Sequence, residues 1–394
     1  MIEIGDAARA SSGDHDPLSA EPPGWRERLL AARDRLLASP RFQRWAAGFP
    51  PTRAIARRRA RALFDLCAGF VYSQVLLACV ELRLFERLKP GPASIGALAR
   101  HSGLDVEATA RLLEAAAALG LLERRGGDRY GLGELGAALL GNPAVAAMVE
   151  HHRLLYADLA DPVGLLRGAR ADTRLGRYWP YARASAPAAL GAAEVEGYST
   201  LMAASQALVA EDILEAYPVA RHRRLLDVGG GDGAFLVAAA ARAPLLELAL
   251  FDLPPVAVRA ADRLRERALT ARATVHGGDF RRDPLPGGAD LLSLVRVLHD
   301  HDDATVIGLL ERARRALTPG GTLLIAEPMA GTAGALPVGA AYFGFYLLAM
   351  GSGRSRTPQQ LSLLLRSTGF DSIEPRRTRR PLLCGVITAR APRA

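Results

Sequence analysis

The chain has 394 residues, more than one ordinary core holds, so two domains with terminal extensions are expected. It carries a formal charge of +9, yet of 50 basic residues only Lys89 is lysine, and Arg, Ala and Gly recur throughout; the charge reads as compositional bias, not a nucleic-acid signature. Glu3 and Asp6 with no apolar stretch behind them exclude a secretory-signal plan, and no run of about 18 uncharged apolar residues occurs, so a cytoplasmic protein is expected.

Residues 1–55 form an N-terminal extension. Its first 23 residues are polar and Pro-rich, without periodicity, and are expected to be disordered. From Trp25 to Ala47 an amphipathic pattern with many arginines is broken near Ser39-Pro40. Such a basic helix can dock on a membrane surface or pack on protein, and the second is preferred. Arg57-Arg58-Arg59 and Arg61 lead into the next helix as a solvated face. Cys67, Cys79 and Cys384 are odd in number and set among apolar neighbours, which fits reduced, packed thiols and neither a disulfide frame nor a metal site.

Residues 56–140 are expected to form a helical winged-helix domain. Ala62 to Leu88 is apolar on nearly all sides, as in a buried helix at a dimer interface. Ala93 to Ala99 starts a second helix, Ser102-Gly103-Leu104 turns, Asp105 caps a third over Val106–Leu119, and a small hairpin follows from Leu121 to Leu132. This shape raises a DNA-binding regulator as a rival class. Glu107, Thr109, Arg111 and Glu114 make the third helix mixed in sign, however, so dimerisation is preferred and no nucleic-acid partner is expected. Residues 141–220 read as a helical linker and substrate lid. There His151 and His152, being adjacent, point to different sides of a helix, and Arg177-Tyr178-Trp179-Pro180-Tyr181 fills core or pocket wall.

The third domain, 221–394, opens on Leu225-Leu226-Asp227-Val228-Gly229-Gly230-Gly231-Asp232-Gly233, a buried strand followed by a glycine loop that lets backbone approach a ligand. Gly229, Gly231 and Ala234 also satisfy the dinucleotide fingerprint. Leu245–Leu250 is a second strand ending in Asp252, placed to accept both hydroxyls of a ribose. A third strand over Ala273–His276 precedes Asp279 and Phe280, suited to an adenine. The strands Ala289–Val297 and Thr322–Ala326, the second entered by a Pro319-Gly320-Gly321 turn, complete a doubly wound parallel α/β sheet.

The glycine loop, Phe251-Asp252-Leu253-Pro254, Gly278-Asp279-Phe280, Leu298-His299-Asp300 and Pro319-Gly320-Gly321-Thr322-Leu323-Leu324-Ile325-Ala326-Glu327-Pro328 together resemble the cation-independent O-methyltransferases that use S-adenosyl-L-methionine. The resemblance spans about residues 60–390 and displaces the nicotinamide reading. It implies a homodimer with a Rossmann-like catalytic domain. It also implies cofactor-binding residues Asp227, Gly229, Gly231, Gly233, Asp252, Leu253, Asp279, Phe280 and Arg296, with His299 as general base and no metal.

Residues 38–47, 63–76 and 342–353 look more specifically like the hydroxycarotenoid O-methyltransferases of phototrophic bacteria. That implies an apolar hydroxycarotenoid substrate, with Tyr342, Phe343, Tyr346 and Met350 lining its pocket, and a peripheral site on the intracytoplasmic membrane. A tetrapyrrole or aromatic polyketide substrate is the alternative. Where plant members carry the glutamate that orients the base, this chain reads Gly353-Arg354-Ser355-Arg356-Thr357, which leaves Glu327, or a less polarised base. A tryptophan follows their His-Asp pair; here His301 does.

Overall fold

The computed structural model describes residues 24–168, 172–183, 187, 190–334, 336–381 and 383–393. The expected disorder of residues 1–23 lies outside them. The chain divides after Val75 into two compact units, residues 1–75 and 76–394.

In the first unit, helices Trp25–Ala38 and Pro40–Gly48 are separated at Ser39, whose hydroxyl accepts the Phe42 N–H, with Pro40 at the start of the second helix. One helix then runs from Pro50 to Glu81, through Arg57–Arg61, so that arginine run lies inside the helix and not ahead of it. Within one chain the expected burial of this apolar helix is found only near its end, at Leu77, Cys79 and Val80. Leu63, Phe64, Leu66 and Phe70 are exposed, Leu66 by 81 %, and Cys67 is exposed with them, unlike the buried Cys79 and Cys384. By length and composition this helix is also long and apolar enough to cross a membrane.

In the second unit, Arg83 takes a left-handed conformation and starts the separate helix Leu84–Leu88. The winged-helix shape follows. Ala93–Ser94 is a short strand, β1, in place of the helix start read from sequence, because Ser94 spends its side chain as N-cap on the Ala97 N–H. Helix Ile95–Ser102 ends at Gly103, and Asp105 caps Val106–Ala118 through the Ala108 N–H at 2.7 Å. Strands β2 (Leu122–Arg124) and β3 (Arg129–Leu132) form the wing, with β1 on the other edge of β3.

The catalytic domain is a seven-stranded sheet of β4 (Arg224–Val228), β5 (Glu247–Asp252), β6 (Ala273–Gly277), β7 (Ala289–Val295), β8 (Leu317–Glu327), β9 (Asp371–Arg376) and β10 (Gly385–Arg390), in the order β6-β5-β4-β7-β8-β10-β9. The first five are parallel. The wholly parallel sheet expected from sequence is corrected at the far edge, where β10 runs antiparallel to both β8 and β9. β9 and β10 are joined by the short return 377–384, and only antiparallel neighbours can be joined so. Pro319-Gly320-Gly321 does not precede β8 but bulges within it, where the register jumps from Ala289 opposite Leu317 to Leu291 opposite Thr322.

Alternate residues of each strand feed opposite cores. Leu226, Val228, Leu292 and Ile325 pack on one face, and Leu225, Leu248, Leu291 and Leu324 on the other, all nearly fully buried. Each such leucine contributes about 1.5–3 kcal/mol of burial, which fixes the strand ends and hence the loops they carry. The strand order reverses between β4 and β7, where an open sheet leaves a crevice at its carboxyl edge.

Candidate active site

At that crevice lies an open cleft of about 990 Å³, the solvent it holds included, lined by the ends of β4, β5 and β7 and by the aromatic segment before residue 200. The loop after β4 is shaped for backbone approach. Gly229 (φ +69) packs so tightly that a Cβ would lie 2.7 Å from Val297, whereas a Cβ on Gly231 (φ +60) would meet nothing within 4 Å, because that residue faces the cavity.

Asp252 ends β5 with its carboxylate on the loop: Oδ2 accepts the Gly231 N–H at 2.8 Å and Oδ1 the Leu253 N–H at 2.7 Å. Burial pushes this carboxyl up to about 6 although both amides pull it down. Each oxygen keeps a lone pair, the arrangement that accepts vicinal hydroxyls. Asp227 accepts the Ser293 hydroxyl at 2.6 Å through Oδ1, and its Oδ2, like the Ser199 hydroxyl, is buried with no hydrogen-bond partner among the described residues. Burial pushes Asp227 up to about 7 against the pull of Ser293. An uncompensated buried carboxylate oxygen at a cavity favours a ligand that is cationic or donates hydrogen bonds, so the residues present fit a nucleoside bearing positive charge.

Arg296 holds the far wall. It adopts φ +59, a conformation that costs a non-glycine residue about 1–2 kcal/mol, and its guanidinium is tied to Ser205 Oγ at 2.6 Å and Met202 Sδ at 3.0 Å.

His299 lies just behind this wall, in the short turn Leu298–Asp300 after β7. Its backbone N–H donates to Glu327 Oε2 at 3.0 Å, its Nδ1 lies 3.5 Å from the same oxygen, and its Nε2 is 3.2 Å from Asp300 Oδ1. Burial pulls the imidazole pKa down, but the Asp300 and Glu327 charges outweigh it and the net shift is upward. Asp300 in turn accepts the buried Tyr181 hydroxyl at 2.7 Å. Glu327 therefore stands where the sequence left the orienting acid open. Ser355, the residue in the glutamate's place, has a buried hydroxyl without a partner among the described residues.

Of the residues read from sequence, Asp227, Gly229, Gly231, Asp252, Leu253, Asp279, Phe280 and Arg296 all line the cavity. Gly233 does not; it starts the next helix with φ +81, against Leu250 and Ala260. Asp279 is also less available than expected, since Arg281 pairs with it through backbone and guanidinium. Tyr342, Phe343, Tyr346 and Met350 do not border the cavity but pack with Leu155, Leu175 and Leu201; Phe343 reaches the His299 ring at 6.0 Å.

The histidines are not divided between two sides. His151 Nε2 meets the Tyr346 hydroxyl and His152 Nε2 the Tyr342 hydroxyl, each at 2.7 Å, because the two tyrosines are themselves one helical turn apart. Burial, helped by His152, pushes His151 down to about 4, so it is neutral; the Tyr346 oxygen accepts from Trp179 at 2.9 Å. Trp179 and Tyr181, read from sequence as core or pocket wall, line the cavity, and Arg281 and His301 are wall residues that the sequence reading did not assign.

A family model described as the O-methyltransferase domain matches residues 156–371, and one described as the O-methyltransferase dimerisation domain matches residues 64–142. Demethylspheroidene O-methyltransferase of Cereibacter sphaeroides is 48% identical over 91% of this chain and 94% of its own length. The enzyme of the same name from Rhodobacter capsulatus is 43% identical over 90% and 88%. Among solved structures, human N-acetylserotonin methyltransferase in complex with S-adenosylmethionine matches with a TM-score of 0.70 and 28% identity, over 85% of this chain and 98% of that one.

Proposed function

The chain belongs to the S-adenosylmethionine-dependent O-methyltransferase family, and from that premise we propose that it methylates the tertiary 1-hydroxyl of a 1-hydroxycarotenoid, giving a methoxycarotenoid. The observation that carries the substrate is the 48% identity to demethylspheroidene O-methyltransferase over 91% of the chain. The surroundings of His299 support it. The aromatic helix that reaches His299 through Phe343 has its tyrosine hydroxyls taken up in His151–Tyr346 and His152–Tyr342 pairs, so it adds no unpaired hydroxyl beside the base. The dimerisation domain makes the protein a homodimer, and the partner gives the apolar row Leu63–Phe70 a cover.

When bound, S-adenosylmethionine supplies a methyl group on a positively charged sulfur. The residues that would hold it are Asp252 at the ribose, Asp279 and Phe280 at the adenine, and the Gly229–Gly231 backbone with Asp227 at the methionine end. Displacement at the methyl carbon is in line, so binding must fix one approach direction and exclude water. His299 takes the proton that the substrate oxygen releases as its bond to carbon forms. Glu327 beside Nδ1 and Asp300 beside Nε2 stabilise the imidazolium that results. A tertiary alcohol is too weak an acid to ionise beforehand, so proton removal accompanies methyl transfer.

The test is transfer of labelled methyl from S-adenosylmethionine to extracted 1-hydroxycarotenoids, by the parent and by His299→Ala. An ether product that the variant fails to make while still binding cofactor supports the reading. Cofactor binding without any labelled carotenoid moves the substrate to the tetrapyrrole or polyketide class.

A further inference from the structure

Residues 24–61 take no part in the reaction described, yet they are built to a plan. The segment carries eleven arginines, all exposed, against Glu27 and Asp34. In helix Trp25–Ala38, Trp25, Leu29, Ala32 and Leu36 recur at i, i+4, i+7 and i+11 and so share one face, and the three large ones are 71%, 61% and 50% exposed. Helical spacing puts Arg26 and Arg33 along one flank of that stripe and Arg28 and Arg35 along the other, while both acids fall on the side opposite it. The next helix repeats the design with aromatics. Phe42, Trp45 and Phe49 lie at i, i+3 and i+7, their rings 5.6 and 4.9 Å apart, with Trp45 and Phe49 exposed.

We propose that this arm is a membrane-surface anchor that lies flat on an anionic bilayer, its Trp25–Leu36 stripe and Trp45 in the headgroup boundary and its flanking arginines on lipid phosphates. An apolar stripe rimmed on both sides by arginine, with acids only on the far side, matches a headgroup layer above an acyl interior. Exposed tryptophan favours that boundary. A second copy laid arm to arm would bring eleven arginines against eleven. The dimerisation match, moreover, begins only at residue 64. The proposal holds whatever the substrate is, since it rests on the arm alone.

The full-length protein is sedimented with vesicles of phosphatidylcholine alone and of phosphatidylcholine mixed with phosphatidylglycerol, at low and high salt. It should bind the mixed vesicles, be released by salt and ignore the neutral ones. Replacing Arg26, Arg28, Arg33 and Arg35 by Gln should weaken partition by about fivefold for each charge removed. The triple variant Trp25→Ala, Leu29→Ala, Leu36→Ala should lose binding even at low salt. Both variants change exposed side chains only, so S-adenosylmethionine binding, methyl transfer to detergent-dispersed substrate and dimer mass on gel filtration should be unchanged. Failure of the parent to bind anionic vesicles, or equal binding by the variants, overturns the anchor. Dissociation of either variant into monomers overturns it too, since the arm would then be an interface between copies.

Discussion

One carboxylate oxygen, Glu327 Oε2, serves both ends of His299: it accepts the residue's backbone N–H at 3.0 Å and lies 3.5 Å from its Nδ1. The acid at the end of β8 thus anchors the turn after β7 and sets a negative charge beside its imidazole. Because Asp300 and Glu327 raise the His299 pKa against the downward pull of burial, the neutral base forms at higher pH than for a free imidazole, and the rate should rise with pH through that titration. Glu327→Gln removes one of those charges while keeping the shape. We expect the acidic limb of the kcat profile to move to lower pH and kcat to fall about 10- to 100-fold, with S-adenosylmethionine affinity retained. A kcat profile that did not move would remove Glu327 from the base's environment.

Asp252 should control cofactor affinity and not the chemical step. Two hydroxyls donated to a carboxylate are worth about 1.5–3 kcal/mol each, so Asp252→Asn should weaken S-adenosylhomocysteine binding by at least about tenfold in calorimetric titration. Since burial holds this carboxyl up at about 6, the parent's affinity should decline as pH falls through that value, and the variant's should not.

These two sites were legible to different degrees, for physical reasons. The cofactor loop is written in consecutive residues: a glycine that must turn, an acid at a strand end and the next strand's acid all lie at spacings that a parallel sheet imposes. The partners of the aromatic run were not legible. Tyr346 meets His151 across 195 positions and Tyr342 meets His152 across 190, and no local pattern encodes which helix packs on which. Tyr342 and Tyr346 therefore read as pocket lining from composition, although their hydroxyls are consumed by histidines. The exposed row at Leu66 was legible in part: a helix apolar all round points to a dimer interface, but the pattern does not say which of its residues the single chain leaves uncovered.

Asp227 should make the unliganded protein less stable as pH rises. Its carboxyl stands at about 7 in the folded state against an ordinary 3.8, so the fold binds this proton more tightly than the unfolded chain. The stabilisation is full below about 4 and is lost as pH rises through about 7, as much as about 4 kcal/mol in total. Asp227→Asn should melt higher than the parent at pH 8 and no higher at pH 4, by calorimetry without cofactor. Parallel pH trends in the two proteins would contradict the assignment.

Leu66→Arg together with Phe70→Arg should yield a folded monomer. Both side chains are exposed in the single chain, at 81% and 71%, so its own core is undisturbed. Each large apolar side chain withdrawn from a dimer interface costs roughly 1.5–3 kcal/mol on each subunit, and burying arginine there costs more. Sedimentation velocity should show the shift in mass with an unchanged far-ultraviolet spectrum; a persistent dimer would place the interface elsewhere.

Tyr181→Phe should act on the base from the other side. The Tyr181 hydroxyl donates to Asp300 Oδ2 at 2.7 Å, while Asp300 Oδ1 lies 3.2 Å from His299 Nε2, so the tyrosine competes with the imidazole for one carboxylate. Removing the hydroxyl leaves that charge less compensated. Its pull on the imidazolium then strengthens, and the acidic limb of the kcat profile should move to higher pH, opposite to the shift in Glu327→Gln. A lost hydrogen bond to a charged group is worth about 1.5–3 kcal/mol, so kcat should fall by roughly 10- to 100-fold at neutral pH and recover as pH rises. A loss of pocket shape would instead lower the rate equally at every pH. Opposite shifts in the two variants, measured on one substrate, would place His299 between two acids of which Tyr181 restrains one.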